Sequence, residues 1–233
     1  KRRWPHRFAF YIGVDALTGK RALDEMERQY ALLDGDVVGV KLYPNSWLGD
    51  EIKGWLMDDP EIGFPIFEKA RQMGLRAVAV HKAMPLGAVE MSHYKVDDID
   101  RAAMEFPELN FEIVHGGMAF VEETSFQLRR FPNVYVNLES TSAMLTARPA
   151  AWERVMAAFM QNADMRSKIL WGTGGLMVIH PRAALEAFAR FQFKQETLEG
   201  EGIAQITEGD KRAMLAENFA RMSGIDLGAR MAA

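Results

Sequence analysis

The sequence contains no cysteine, which excludes disulfides and thiolate metal sites and is compatible with a cytoplasmic protein. No apolar run reaches the roughly 18 residues that a membrane helix needs. An excess of positive charge is missing too: 28 Lys and Arg stand against 32 Asp and Glu, a net charge of −4. Nucleic acid and anionic membranes are therefore not expected as main partners, because both call for a basic footprint. There is no internal repeat and no low-complexity tract. An initiator methionine is also absent. Lys1-Arg2-Arg3-Trp4-Pro5 runs almost at once into a strand-like segment, so a longer gene product is expected and the lack of a signal peptide is uninformative. What remains is ordinary globular composition, 48% hydrophobic and 26% charged over 233 residues, enough for one large domain with a real core.

Six apolar runs of strand length stand out: FAFYIGV (Phe8–Val14), VVGVKL (Val37–Leu42), RAVAVH (Arg76–His81), NFEIVH (Asn110–His115), NVYVNL (Asn133–Leu138) and KILWG (Lys168–Gly172). They are mostly continuous rather than alternating, as strands buried on both faces are. Helical segments lie between them. GKRALDEMERQYALL repeats apolar residues at helical spacing, and FPIFEKARQMG closes on basic residues and a glycine. KVDDIDRAAMEFP opens with acids and closes on Pro107. PAAWERVMAAFMQNA and PRAALEAFARFQF each begin with proline. TEGDKRAMLAENFARMSG carries Thr207 and Asp210 at the spacing of an acidic capping box. Strand and helix alternate about six times, which predicts an α/β fold with a parallel sheet and right-handed crossovers. The long connection Tyr43 to Gly63, with two tryptophans, is expected to be a surface loop or short helix, or the wall of a pocket.

Polar residues gather at the strand ends. Asp15 follows the first run, Lys41 closes the second, His81 the third and His115 the fourth, and Glu139 follows the fifth. In a parallel sheet these ends converge on one mouth, where α/β folds keep their chemistry. His81 and His115 are candidates for metal binding or acid/base work, since imidazole does both near neutral pH. Either is equally readable as a core histidine. Lys41 reads as an anion clamp for a substrate carboxylate, or as the partner of a carboxylate such as Asp15 or Glu112. Glu139 reads as a group that orients a histidine through its free ring nitrogen, or as a helix-cap residue. His6, His93 and His180 fall in loop or turn contexts and read as structural.

The segments GVKLYP, AVAVHKA, FPELNFEIVHGG, FPNVYVNLES and KILWGTGG, with the ending AMLAENFARMSGID, resemble the amidohydrolase-2 branch of the amidohydrolase superfamily, from about Phe8 to Asp226. That resemblance implies a TIM-type (β/α)8 barrel with one divalent metal, zinc by preference, at its C-terminal mouth. This chain would carry about six of the β/α units as a single barrel domain over residues 1–233. It further implies that His81 binds metal and that His115 is the catalytic acid/base; Lys41 and Glu139 are expected to serve the substrate. Two departures stand against the family pattern. No His-x-His is present, so two β/α units are expected upstream of residue 1, or from another chain. The aspartate of the last strand is Gly174 here, and the next carboxylate, Glu186, lies well into a helix. The expected function is hydrolysis or decarboxylation of a small carboxylated or aromatic compound, with a homodimer allowed by the same analogy. The alternative is a metal-free, catalytically altered barrel that acts as an accessory or assembly protein.

Overall fold

A computed structural model of the chain describes residues 8–174 and 181–232; His6 and His180 lie outside the described residues. Six strands form one parallel sheet: β1 (Phe10–Gly13), β2 (Val37–Leu42), β5 (Ala77–His81), β6 (Asn110–Val114), β7 (Val134–Asn137) and β8 (Ile169–Leu170), paired in that order. All six coincide with the apolar runs of the sequence, β2 in full and the others trimmed at their ends. The last is the most reduced, from five expected residues to two.

The remaining strands, β3 (Asn45–Leu48) and β4 (Glu51–Gly54), form an antiparallel hairpin within the Tyr43 to Gly63 connection. That segment differs from the loop or short helix expected of it. Its turn is Gly49-Asp50, with Gly49 at φ +63°, the two-residue chemistry that a tight hairpin favours. Its eight strand residues are too few and too polar to show a period of two. The hairpin leaves Trp47 exposed, while Trp55 beyond it is buried and donates from Nε1 to the Tyr43 carbonyl at 2.8 Å.

Helices follow most strands: α1 (Lys20–Leu32), α2 (Gly63–Gln72), α3 (Ile99–Glu105) and α4 (Val121–Arg130), then Pro149–Phe159 and Arg182–Arg190. Among the described residues no helix is long and apolar enough to cross a membrane. Alternation along the strands divides their side chains between two faces. One face carries Ile12, Val40, Val78, Val80, Phe111, Ile113 and Val134, which join Met26, Ile66, Phe67 and Ile99 from the helices in one core cluster. At about 25 cal/mol per Å2 of apolar surface removed from water, this burial is the main force holding helices to sheet. The opposite, inner face alternates with it and carries the polar residues: Tyr11, Lys41, His81, Glu112 and Asn137.

The final helical stretch begins with the expected capping box: Thr207 accepts from the Asp210 amide and Asp210 from the Thr207 amide. It runs through a π-helical turn, Ala213–Glu217, into Asn218–Ser223. The widened turn frees the Met214 carbonyl to accept from the Trp171 amide at 2.9 Å. Asn218 Nδ2 donates to the Ile169 carbonyl at 2.9 Å. The open edge of β8 is thus satisfied by a helix instead of a strand. Phe219 and Met222 of the same helix pack against Tyr11, Ala77, Tyr135 and Leu170 on the inner face.

Candidate active site

The strand ends bring His81 and His115 together. His81 is the last residue of β5, and His115 follows β6 directly. Their rings meet edge to face, with centroids 4.2 Å apart, and His115 Nε2 lies 2.8 Å from His81 Nδ1. His81 Nε2 lies 2.7 Å from the Met84 carbonyl. His115 Nδ1 faces Glu139 twice, at 2.5 Å from Oε2 and 3.0 Å from the backbone oxygen. Glu139, beyond the end of β7, therefore reaches a histidine as its place in the sequence allowed.

Counting hydrogens fixes what this chain of groups needs. Its two outer contacts end on oxygens that accept, so His81 Nε2 and His115 Nδ1 each carry a proton. If both rings were neutral, the two inner nitrogens would point bare lone pairs at each other across 2.8 Å. A third proton between them completes the chain, and its charge faces the Glu139 carboxylate. Burial works against that charge. It pushes His81 down to about 3, helped by the nearby His115 and Lys41 and opposed by the Met84 carbonyl. Burial also lowers His115, while Glu139 pulls it back up. The pair is therefore neutral by preference near pH 7, and a third proton that it takes up is bound weakly and readily given away.

The backbone around this pair is unusual. His115, Ala83 and Ser140 all have positive φ, at +67°, +57° and +59°. Residues other than glycine held this way cluster where a fold over-determines a site.

Lys41 sits beside the pair on β2. Its ammonium lies 4.4 Å over the Tyr43 ring and donates weakly to the Leu42 carbonyl at 3.3 Å. Among the described residues no carboxylate is within ion-pair distance of it. Asp15 instead caps the turn after β1 by accepting from the Leu17 amide. Glu112 accepts from Tyr11 and from Asn137 Nδ2. Burial brings Lys41 down to about 8, against the pull of Glu112 and Glu139. Burial raises Glu112, fully enclosed, against the hydrogen bonds of Tyr11 and Asn137. Tyr11, Glu112 and Asn137 were not singled out as site residues. The one sequence signal for them is an acid inside the apolar run NFEIV.

A cavity of about 510 Å3 opens at Lys41, walled by Asp15, Tyr43, Asn45 and Trp47. Tyr43 separates it from His81, on which its ring stacks at 5.1 Å. Tyr94 closes the other side of His81, ring to ring at 5.9 Å, and donates to Asn45 Oδ1. The hairpin thus serves as a pocket wall.

Among the described residues, no group of three His, Asp or Glu side chains is arranged to hold a metal ion. His81 and His115 do present converging lone pairs. However, a tetrahedral ion with metal–nitrogen bonds of about 2.0–2.1 Å would need the nitrogens about 3.3 Å apart, not 2.8 Å, and would still lack a third ligand. As placed, the described residues do not fit a divalent ion. Gly174 offers no ligand, and its surroundings are filled by Glu139.

Comparison with known proteins follows the same lines. A family model described as Amidohydrolase matches residues 1–225; its members are metal-dependent. No curated protein matches the sequence. Similar solved structures include 2,6-dihydroxybenzoate decarboxylase from Rhizobium, 15% identical over 97% of this chain and 73% of that one, with a TM-score of 0.67. An uncharacterised TIM-barrel protein from Bordetella bronchiseptica is 21% identical over 96% and 70%, with a TM-score of 0.69. A dihydroxybenzoic acid decarboxylase from Polaromonas sp., holding manganese and the inhibitor 2-nitroresorcinol, is 13% identical over 99% and 73%, with a TM-score of 0.63. The sheet and helices described above are those of a TIM-type barrel.

Proposed function

The chain belongs to the amidohydrolase family, and on that premise we propose that it is a lyase that removes carbon dioxide from a small aromatic carboxylate. One observation carries this: His81, His115 and Glu139 form a hydrogen-bonded chain at the strand ends, near the ammonium of Lys41, which no carboxylate among the described residues pairs. A proton donor beside an anion receptor is what decarboxylation requires. Two similar structures bear the names of dihydroxybenzoic acid decarboxylases, which supports the same reaction type.

In this scheme Lys41 binds the substrate carboxylate by a charge-assisted hydrogen bond. Tyr43 and Trp47 offer flat apolar faces to the ring. Once the Tyr43 ring that covers His81 swings aside, His115 passes its proton, through His81, to the ring carbon that bears the carboxylate. The bond to the carboxyl carbon then breaks, its electron pair restores the aromatic ring, and carbon dioxide leaves. Glu139, whose side chain is 29% exposed, lies on the path by which solvent returns the proton. No step is assigned to a metal. The zinc expected from the resemblance needs a donor set that the described residues, as placed, do not form.

The test is incubation of the protein with 2,6-dihydroxybenzoate and its mono- and dihydroxy isomers, following carbon dioxide release. Release with matching formation of the phenol is expected. No release from any of them, with no ligand-induced shift in melting temperature, sinks the proposal in favour of a non-catalytic barrel.

Lys41→Met should act mainly on binding. Losing a hydrogen bond to a charged group costs about 1.5–3 kcal/mol, so the KM for an aromatic carboxylate should rise roughly 10- to 150-fold with kcat changing far less. In the native protein KM should rise above pH about 8, as the ammonium is lost, and that limb should vanish in the variant. A pH-independent KM would remove Lys41 from binding. The variant should also be more stable at pH 7. Lys41 binds its proton less tightly folded than unfolded, so its burial cost is fully present below pH 8 and fades as pH rises toward 10.5.

A further inference from the structure

Gly172 and Gly174, beyond the end of β8, have crowded surroundings for residues without side chains. A Cβ on Gly174 would lie 2.7 Å from Glu139 Oε1 and 3.2 Å from both the amide nitrogen and the hydroxyl oxygen of Ser140. A Cβ on Gly172 would lie 2.6 Å from Asn137 Oδ1, 2.7 Å from Glu139 Cβ and 2.8 Å from Glu139 Cα. Gly174 also has φ +61°, a conformation that costs most side chains about 1–2 kcal/mol. A side chain at position 174 would meet the Glu139 carboxylate at its first carbon, so the carboxylate would have to leave its place beside His115.

The rest of Glu139's surroundings agree. Its amide donates to Asn137 Oδ1 at 3.0 Å, and Ser140 Oγ donates to Oε2 at 3.1 Å. The positive φ of Ser140 turns the chain sharply just past it. These contacts aim the carboxylate at His115 Nδ1, 2.5 Å away. Without it, His115 Nδ1 would keep the backbone oxygen of Glu139, which holds the ring plane but carries no full charge to face a shared proton.

We propose that Gly172 and Gly174 form a slot that admits Glu139 to the site, so that Glu139 and a side chain at position 174 exclude one another, and that Glu139 is the residue that positions His115. Only the effect on turnover rests on the decarboxylase reading; the exclusion itself does not. The glycines of KILWGTGG are therefore not an emptied position. They let a carboxylate arrive from the neighbouring strand.

The experiment compares Glu139→Ala, Gly174→Asp and the double variant. Aspartate is chosen because it tolerates positive φ better than most residues and would bring a carboxylate into the same volume. Proton NMR of the full chain reads the low-field imidazole N–H signal, assigned by its loss in His115→Gln. The signal should disappear in each single variant and return in the double one. Carbon dioxide release from 2,6-dihydroxybenzoate should fall about 30-fold or more in each single variant, within the range of a proton-transfer defect. It should recover to within about fivefold in the double variant, the coupling expected of two groups sharing one space. If Gly174→Asp does not fold, Gly174→Ala tests the exclusion alone: its methyl meets Glu139, so the signal should be lost in that variant, and a signal that persists overturns the slot. A signal that persists in the position-174 variant, or a double variant no better than the worse single one, overturns the slot. Signals that behave as expected with unchanged turnover leave the slot standing and remove His115 from the chemistry.

Discussion

His115→Asn is expected to lower turnover of a decarboxylated substrate by about 10² to 10⁴, the usual worth of a positioned acid or base. Asparagine is a better replacement than alanine because His115 holds φ +67°, which asparagine tolerates and alanine does not. The variant keeps a hydrogen-bonding side chain and loses only the capacity to carry the third proton. The native pH profile should carry the same signature. The protonated form is the active one, and burial holds His115 below its ordinary value. Activity should therefore fall as pH rises, with a midpoint below about 6.5. A variant that retains more than a third of native turnover on a substrate the native protein decarboxylates would end the role given to this residue.

Lys82→Met should have the largest effect on stability. Lys82 is fully buried, and its ammonium donates to Asp98 Oδ2 at 2.6 Å and to the His93 carbonyl at 2.8 Å. The same Asp98 oxygen accepts from the Met57 amide at 2.9 Å. Burial lowers Lys82 and raises Asp98, each opposed by the other's charge. Removing one member strands the other charge out of water, which costs about 3 to 5 kcal/mol. For a chain of this size that lowers the melting temperature by roughly 6 to 20 °C. Lys82→Met with Asp98→Leu should recover most of the loss, because the isolated charge and not the missing bond dominates the cost. A single variant melting within 2 °C of the native protein would show the pair to be dispensable. The site should suffer too. Ala83, next to Lys82, bonds through its amide to the Tyr94 carbonyl, and Tyr94 reaches both His81 and the hairpin at Asn45.

The sheet was legible because its outer face is uniformly apolar and because parallel strands carry hydrophobic residues on both sides. The histidine-ended strands were legible for the same reason: a polar residue closing an apolar run is visible at once. Helix α4 was not singled out, and its burial says why. Thr124, Ser125 and Gln127 face inward with Leu128 while Phe126 is exposed, so the usual apolar stripe is inverted. The Gln127 amide nitrogen donates inside to the Val96 carbonyl and to Asp100, a pairing that no local pattern announces. The β3–β4 hairpin was hidden by its shortness. Glu139 and Gly174 could be named separately, but their competition for one volume depends on β7 and β8 lying side by side, which only the folded chain displays.

The helical seal on β8 has a consequence for how the protein is made. Asn218 lies 49 residues beyond the strand carbonyl that it satisfies. At a synthesis rate of about 5 to 20 residues per second, the ribosome leaves that strand waiting roughly 2 to 10 seconds for its cover. A nascent chain stalled before Asn218 would offer a bare β ladder to its neighbours on the polysome, and chaperone demand should peak in that interval.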